Sequence, residues 1–404
     1  MTALTTTDTP LRILHVLRAP VGGLFRHVVD VAREQAARGH HVGLFCDAST
    51  GGERAEGILA ELAPALQLGV TRVPMRRNPH PSDLLALLAL RRAYLRLRPD
   101  VLHGHGSKGG AYARLVTAPS LDRHTVRAYT PHGGSFNYRP GTPLHRLYMA
   151  AEALLARRTD VFLFESNFIA GRFRAYVGET DRLVRVVLNG IGEAEFAPIQ
   201  PCPQQGDLVY VGEMRAAKGV DTLIDALGLL QRRGRRVTLH AVGSGPDEAQ
   251  LRAHAERVGV ADNICFEGAM PIRHALGRGR VMVVPSRAES LPYVILEAAA
   301  AAEPLVSTGV GGIPEIFGPH ADQLIPADDP EALAGAILAK LDECPQMRGA
   351  KAAALSDFVR GRFSLAQMVE GAVAGYRAAR ERRRIRPLRG DFEPAVKASV
   401  NAGP

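Results

Sequence analysis

Residues 281–317 read VMVVPSRAESLPYVILEAAAAAEPLVSTGVGGIPEIF, and their order decides the fold. The run 281–285 is short and apolar, as expected of a strand buried on both faces. A polar loop carrying Glu289 and Ser290 follows. Pro292 then suits the first turn of a helix, where its missing N–H would have no partner in any case. Glu297 lies inside that helix, eight positions after Glu289. A second apolar run, 304–308, leads into Gly309, Gly311, Gly312, Pro314 and Glu315, a glycine-rich turn at another helix start. Strand, helix, strand in this order is the unit of a parallel sheet with helices on its faces.

The same alternation continues outward in both directions. Upstream, 208–211 (LVYV) is a strand, 219–231 a helix, 238–242 a strand, 247–258 a helix and 263–267 another apolar run. Before these, residues 198–206 change to PIQPCPQQG, the composition of a linker. The first half begins with LRILHVL at 11–17, bounded by Gly22 and Gly23. A helical stretch over 25–38 follows, with Gly39 as its C-cap, and then HVGLFC at 41–46. Further units start at 101–103, 125–130, 161–165 and 185–188. The expected division is a doubly wound domain over 1–197, a linker over 198–206, a second such domain over 207–364, a helix over 365–384 and a basic, disordered tail over 385–404.

Composition agrees with this plan. A chain of 404 residues exceeds one ordinary core. Hydrophobic residues at 46% suffice to fill two cores, and no apolar run approaches the ~18 residues of a membrane span. The N-terminus lacks a basic n-region and is expected not to be a signal peptide. Cys46, Cys202, Cys265 and Cys344 show no metal-type spacing, so reduced thiols in a cytoplasmic protein are expected. The net charge of +9 suits a polyanion, a phosphorylated substrate or an anionic membrane surface. It equally suits arginine used as a solubilising helix residue. Aromatics are scarce and Trp is absent, so the stacking platform of single-strand nucleic-acid binding is missing and no nucleic-acid partner is expected.

Four places carry candidate chemistry, each with a plainer alternative. Gly22 and Gly23, after the first strand, let a ligand approach the backbone at a helix N-terminus, or simply make a tight turn. His132, in TPHGGSF, stands past a strand end where ligands bind in open α/β sheets, or is a structural histidine. His103 and His105 in VLHGHGSKGG have a spacing seen in metal sites, but no third ligand is evident from the sequence. Arg215 and Lys218, in VGEMRAAKG, could join helix-end amides around a phosphate, or be exposed loop charges. Glu289 and Glu297 suit paired sugar or ribose hydroxyls, or are solvated charges at helix ends.

The order of glycine pair, TPHG, basic loop, E-x(7)-E and VGGIPE resembles the family-four retaining glycosyltransferases (glycosyltransferase group 1) of the GT-B fold. The likeness covers roughly residues 12–375, and the Glu289/Glu297 block with VGGIPE is its specific part. It implies an α/β fold of two Rossmann-like domains facing a cleft, with the acceptor bound by the first and the nucleotide-sugar by the second. By this resemblance His132 contacts the transferred sugar, Arg215 and Lys218 stabilise the diphosphate leaving group, and Glu289 binds sugar hydroxyls; these four are the catalytic expectations. Gly22 and Gly23 approach the phosphates, Glu297 binds the ribose, and Ser290, Leu291 and Pro292 supply backbone amides near the donor. No metal and no cofactor beyond the nucleotide-sugar co-substrate is expected.

Two departures stand out. Glu213 occupies the family's usual arginine position, with Arg215 two places on, and Ser290 replaces a glycine, which leaves the sugar preference open. HGHGSKGGAYARL is similar to members that make exopolysaccharide or lipid-linked oligosaccharide. The expected reaction is retaining transfer from a UDP- or GDP-linked donor to a glycan or lipid-linked acceptor. The expected location is cytoplasmic, with a peripheral station on the inner face of the membrane as an option. The rivals are a sugar-nucleotide epimerase or phosphorylase of the same fold, and a non-catalytic nucleotide-sugar-binding protein.

Overall fold

The computed structural model describes residues 9–385, so the tail expected over 385–404 lies, past its first residue, outside the described residues. Two parallel sheets organise the chain. The first contains β1 (Arg12–Leu17), β2 (His41–Asp47), β3 (Gly69–Val73), β4 (Val101–His105), β5 (Val126–Thr130), β6 (Val161–Phe164) and β7 (Leu183–Val186). Their spatial order is β3-β2-β1-β4-β5-β6-β7. The second contains β8 (Gly206–Val211), β9 (Leu239–Val242), β10 (Ile264–Glu267), β11 (Gly279–Val284) and β12 (Leu305–Ser307), in the order β10-β9-β8-β11-β12. Each sheet reverses its winding once, between β1 and β4 and between β8 and β11, and a crevice opens at such a switch point.

Burial follows from that architecture. Every residue of β4, β5 and β6 is buried, because helices cover both faces of the sheet centre, whereas the edge strands β3 and β7 are half-buried or exposed. The helix Gly22–Ala37 buries Phe25, Val28, Val29, Val31 and Ala32 along one stripe, and Val220–Arg232 buries Val220, Leu223, Ile224, Leu227 and Leu230. β3 has no counterpart in the sequence reading: GVTRV is short and half-polar, and only its place at the sheet edge makes it a strand.

The last helix, Leu365–Ile385, returns to the first domain. Met368, Val369, Ala372, Val373, Tyr376 and Ala379 pack against Leu11, Ile13, Val126 and Val161. Each large apolar side chain so buried contributes about 1.5–3 kcal/mol of transfer free energy. The two crossings between domains are stitched together, since Ile191 N–H donates to Phe363 O at 2.8 Å and Leu365 N–H to Ile191 O at 2.9 Å. Among the described residues, no helix is long and apolar enough to cross a membrane.

Candidate functional site

The loops after β8, β11 and β12 build one wall. Gly219 has a φ of +66°, and an added Cβ there would run into the Pro285 carbonyl, so the basic loop lies tight against the end of β11. Arg287 locks the two loops. Its amide donates to Ala217 O at 2.9 Å, and its guanidinium holds Asp221 at 2.7 and 2.8 Å and Thr222 Oγ1 at 2.9 Å. Lys218 is thereby delivered to Glu289: Nζ donates to Oε1 at 2.6 Å, and Ser286 Oγ donates to the same oxygen at 2.7 Å. The glycine turn completes the wall, because side chains at Gly311 and Gly312 would strike the carbonyls of Glu289 and Ser290.

Arg215 is not drawn into this cluster. It pairs with Glu213 at 3.0 Å, and both side chains are about half exposed. Glu213, at the family's usual arginine position, thus neutralises Arg215. Glu297 is buried on the helix Tyr293–Ala300 and forms an ion pair with Arg26 of the first domain. Arg26 also reaches Glu195 at 2.7 Å and lies 5.0 Å from the Tyr293 ring centroid.

The domains meet along this line. Gly23, at the start of the first helix, has Tyr293 Cδ2 3.5 Å from the position of an added Cβ, and Gly22 adopts a φ of +64°. Asn189 donates through Nδ2 to Leu291 O at 2.8 Å, while Pro292 caps the Tyr293 helix. Glu315 of VGGIPE accepts from the amides of Asn167 and Phe168 at 2.9 and 2.8 Å, a carboxylate on a helix N-terminus of the other domain.

The opposite wall is supplied by the first domain. His132 follows β5 in a left-handed conformation, φ +51°, unusual for a residue with a Cβ. The next amide, Gly133, donates to Glu165 Oε1 at 2.6 Å. Burial pushes the Glu165 carboxyl up to about 7, opposed by the Gly133 and His132 amides and the nearby Ser290 hydroxyl, while its Oε2 is buried with no hydrogen-bond partner among the described residues. Glu165 therefore lies where the His132 loop and the Ser290 loop meet. Its sequence signal was slight: the last residue of VFLFE, a carboxylate ending an apolar strand.

The histidines form the largest surprise. The i, i+2 pair His103/His105 gains the further imidazoles that could not be seen in the sequence. His15, His103 and His105 have ligand atoms within 4.8 Å of one another, and so do His27, His105 and His132. The parallel register explains it, because β1 and β4 place His15 directly opposite His103. Burial lowers all five pKa values, His15 to about 4 and His27 to about 3, so the rings are neutral at neutral pH. Each triad has the donor type for a soft divalent metal, but hydrogen bonds already engage both nitrogens of His15, His103 and His105. A separate group, His240, Cys265 and Glu267, sits on β9 and β10, where Arg278 competes for Glu267 at 3.2 Å.

Comparison with known proteins places this geometry. The family described as glycosyl transferases group 1 matches residues 205–343, and Glycosyltransferase Family 4 matches residues 21–194. A glycogen synthase of Mycobacterium tuberculosis is 30% identical over 352 residues, covering 80% of this chain and 83% of that protein. A putative glycosyltransferase, EpsD, of Bacillus subtilis is 28% identical over 263 residues, 61% of this chain and 68% of its own length. Among solved structures, Anabaena HepE in complex with UDP-glucose superposes with a TM-score of 0.73 at 17% identity, covering 91% of this chain and 100% of that one.

Proposed function

The chain belongs to the group 1 glycosyltransferases of the GT-B fold, and on that premise we propose that it moves a sugar from a UDP- or GDP-linked donor to a glycan or lipid-linked acceptor, with retention of configuration. The observation that carries the reading is the meeting of two loops at Glu165. One brings Glu289, with Lys218 of a neighbouring loop paired to it, and Ser290 from the second domain, and the other brings His132 from the first.

In this reading the departing diphosphate lies against Lys218 and the N-terminus of the helix Val220–Arg232, where the ammonium and the positive end of the helix are in place before the bond breaks. Glu289 holds the ammonium in place and offers its second oxygen to a sugar hydroxyl. His132 faces the transferred sugar, and Gly22 and Gly23 leave room for the phosphates. Glu297 takes the ribose once Arg26 yields it. Ser290, Leu291 and Pro292 line the donor with backbone. The protein's own cations supply the charge a metal would bring, so the reaction as written calls for none.

Retention is assigned to a same-face displacement. The C1–phosphate oxygen bond breaks, the acceptor oxygen bonds C1 from that side, and its proton passes to the leaving phosphate. In this reading Glu165, fully buried and bonded to the Gly133 amide, positions the His132 loop and takes no covalent part. A UDP-linked donor is supported by HepE, solved with UDP-glucose. Peripheral attachment to an anionic leaflet is supported by leucines exposed beside arginines on two helices of the first domain. Leu84, Leu85 and Leu88 lie on Asp83–Leu97, and Leu147 and Leu154 on Pro143–Ala156.

The test is a panel of UDP- and GDP-sugars with glycan and polyprenyl-linked acceptors, with the product anomer read by NMR. The reading expects acceptor-dependent release of nucleoside diphosphate and a retained anomer. An inverted product, or epimerised donor without transfer, would overturn it.

A further inference from the structure

We propose that the side-chain amide of Gln35 sets the tautomer of His132 through a chain of three hydrogen bonds, so that His132 carries its proton on Nε2 and presents a lone pair on Nδ1. The inference deepens the function proposed above and rests on that reading for its catalytic consequence.

The chain is continuous. Gln35 Oε1 lies 2.9 Å from His15 Nε2, His15 Nδ1 lies 2.9 Å from His105 Nε2, and His105 Nδ1 lies 3.1 Å from His132 Nε2. A neutral imidazole has one N–H and one lone pair, so each ring that accepts on one nitrogen must donate from the other. An amide oxygen can only accept. His15 therefore donates from Nε2 and accepts on Nδ1, His105 does the same, and the proton of the last link belongs to His132 Nε2. Had the amide turned its NH2 toward His15, every proton in the chain would sit on the opposite nitrogen. The two arrangements disfavour mixtures, because a link with two lone pairs or two protons would leave buried polar atoms unpaired.

The other end of the amide joins a second set of bonds, whose direction is tied to that of the first. In the proposed arrangement Gln35 Nε2 donates to the Tyr376 hydroxyl at 3.4 Å, which leaves the hydroxyl to donate to His103 Nδ1, 2.7 Å away, and His103 Nε2 to donate to Thr130 Oγ1, 2.9 Å away. Tyr376 comes from the C-terminal helix, so the docking of that helix reaches the cleft through hydrogen bonds alone. Gln35, His15, His103 and His105 are each at most 1% exposed, so water does not scramble the protons. Their lowered pKa values keep each ring at one proton. A sugar hydroxyl can then donate to His132 Nδ1, which the other tautomer would repel.

The full chain, labelled with 15N in histidine, would be read by long-range 15N–1H correlation, with each ring assigned by single replacement. His15, His105 and His132 are all expected as Nε2–H tautomers. Gln35→Met removes the acceptor and Tyr376→Phe releases the amide; both should bring the Nδ1–H form of His132 into view. Gln35→Glu, an acceptor when its carboxylate is ionised, should preserve Nε2–H at a pH above that carboxyl's titration. In the first two variants kcat should fall about tenfold, one hydrogen bond's worth, with donor KM little changed. A tautomer shift with unchanged kinetics would support the relay while removing the sugar contact from His132. An Nδ1–H His132 in the wild type, tautomers unmoved in both variants, or stoichiometric zinc bound to these rings would overturn the relay.

Discussion

Replacing Lys218 by alanine separates what this residue does for the fold from what it does for the reaction. In the folded protein the ammonium is 2.6 Å from Glu289, with 18% of the lysine side chain and 10% of the glutamate side chain exposed. Removing it leaves the carboxylate with Ser286 as its remaining donor, 2.7 Å away. Water reaches this pair in part, so the loss of stability should be about 1–3 kcal/mol, below the figure for a fully buried pair. In the transition state the loss is one preorganised charge donor to the diphosphate, about 100-fold or more in kcat/KM. The double variant Lys218→Ala/Glu289→Gln, read against Glu289→Gln alone, divides the two effects. It removes the stranded charge and should recover most of the stability, while the rate stays at least about 100-fold low. Urea titration and continuous detection of released nucleoside diphosphate provide both readings. A folded Lys218→Ala enzyme at full kcat/KM would refute the phosphate role. Recovery of rate together with stability in the double variant would show that Lys218 merely holds Glu289.

Other expectations follow from the same geometry. Glu297→Ala should weaken nucleoside diphosphate binding about tenfold or more by calorimetry, whereas Arg26→Ala, which removes the partner the ribose must displace, should not weaken it; an unaltered Kd for the first removes the ribose role. Burial raises the Glu165 pKa from an ordinary 4.5 to about 7, so the folded state holds a proton that the unfolded chain has released between those values. That stabilisation, on the order of 3 kcal/mol, is complete below about pH 4.5 and is lost as pH rises through about 7. The unfolding free energy of Glu165→Gln relative to wild type should therefore climb over this window, and parallel curves would contradict the assignment. Flotation with anionic liposomes should be salt-sensitive and weakened by Leu85→Glu with Leu147→Glu; absence of salt-sensitive flotation would count against a peripheral station.

Much of the fold was legible because buried parallel strands are continuous apolar runs. LRILHVL, HVGLFC and LVYV each appear in the structure within two residues of their expected ends. The half-polar edge strand β3 carried no such signal. The run expected at 185–188 lies instead at Leu183–Val186, since β7 is an exposed edge whose apolar residues do not mark its limits. The helix over 365–384 was visible by its period, but its return to the first domain was not, because docking depends on partners more than 170 positions away. In the candidate site, local motifs pointed to Lys218, Glu289 and His132. The partners that position them came from elsewhere: Arg26 across the cleft, Glu165 at the end of β6, and Gln35 and His15 through strand register. Lone histidines and a helical glutamine are bland in sequence, and they become a chain only when β1 and β4 lie side by side.

The most direct test is a crystal structure with the bound nucleoside diphosphate or an unreactive nucleotide-sugar. The account predicts the diphosphate against Lys218 and the start of the helix Val220–Arg232, the ribose on Glu297 with Arg26 displaced, and the sugar between Glu289 and His132. A nucleotide seated away from Lys218, or a sugar ring out of reach of His132, would contradict it.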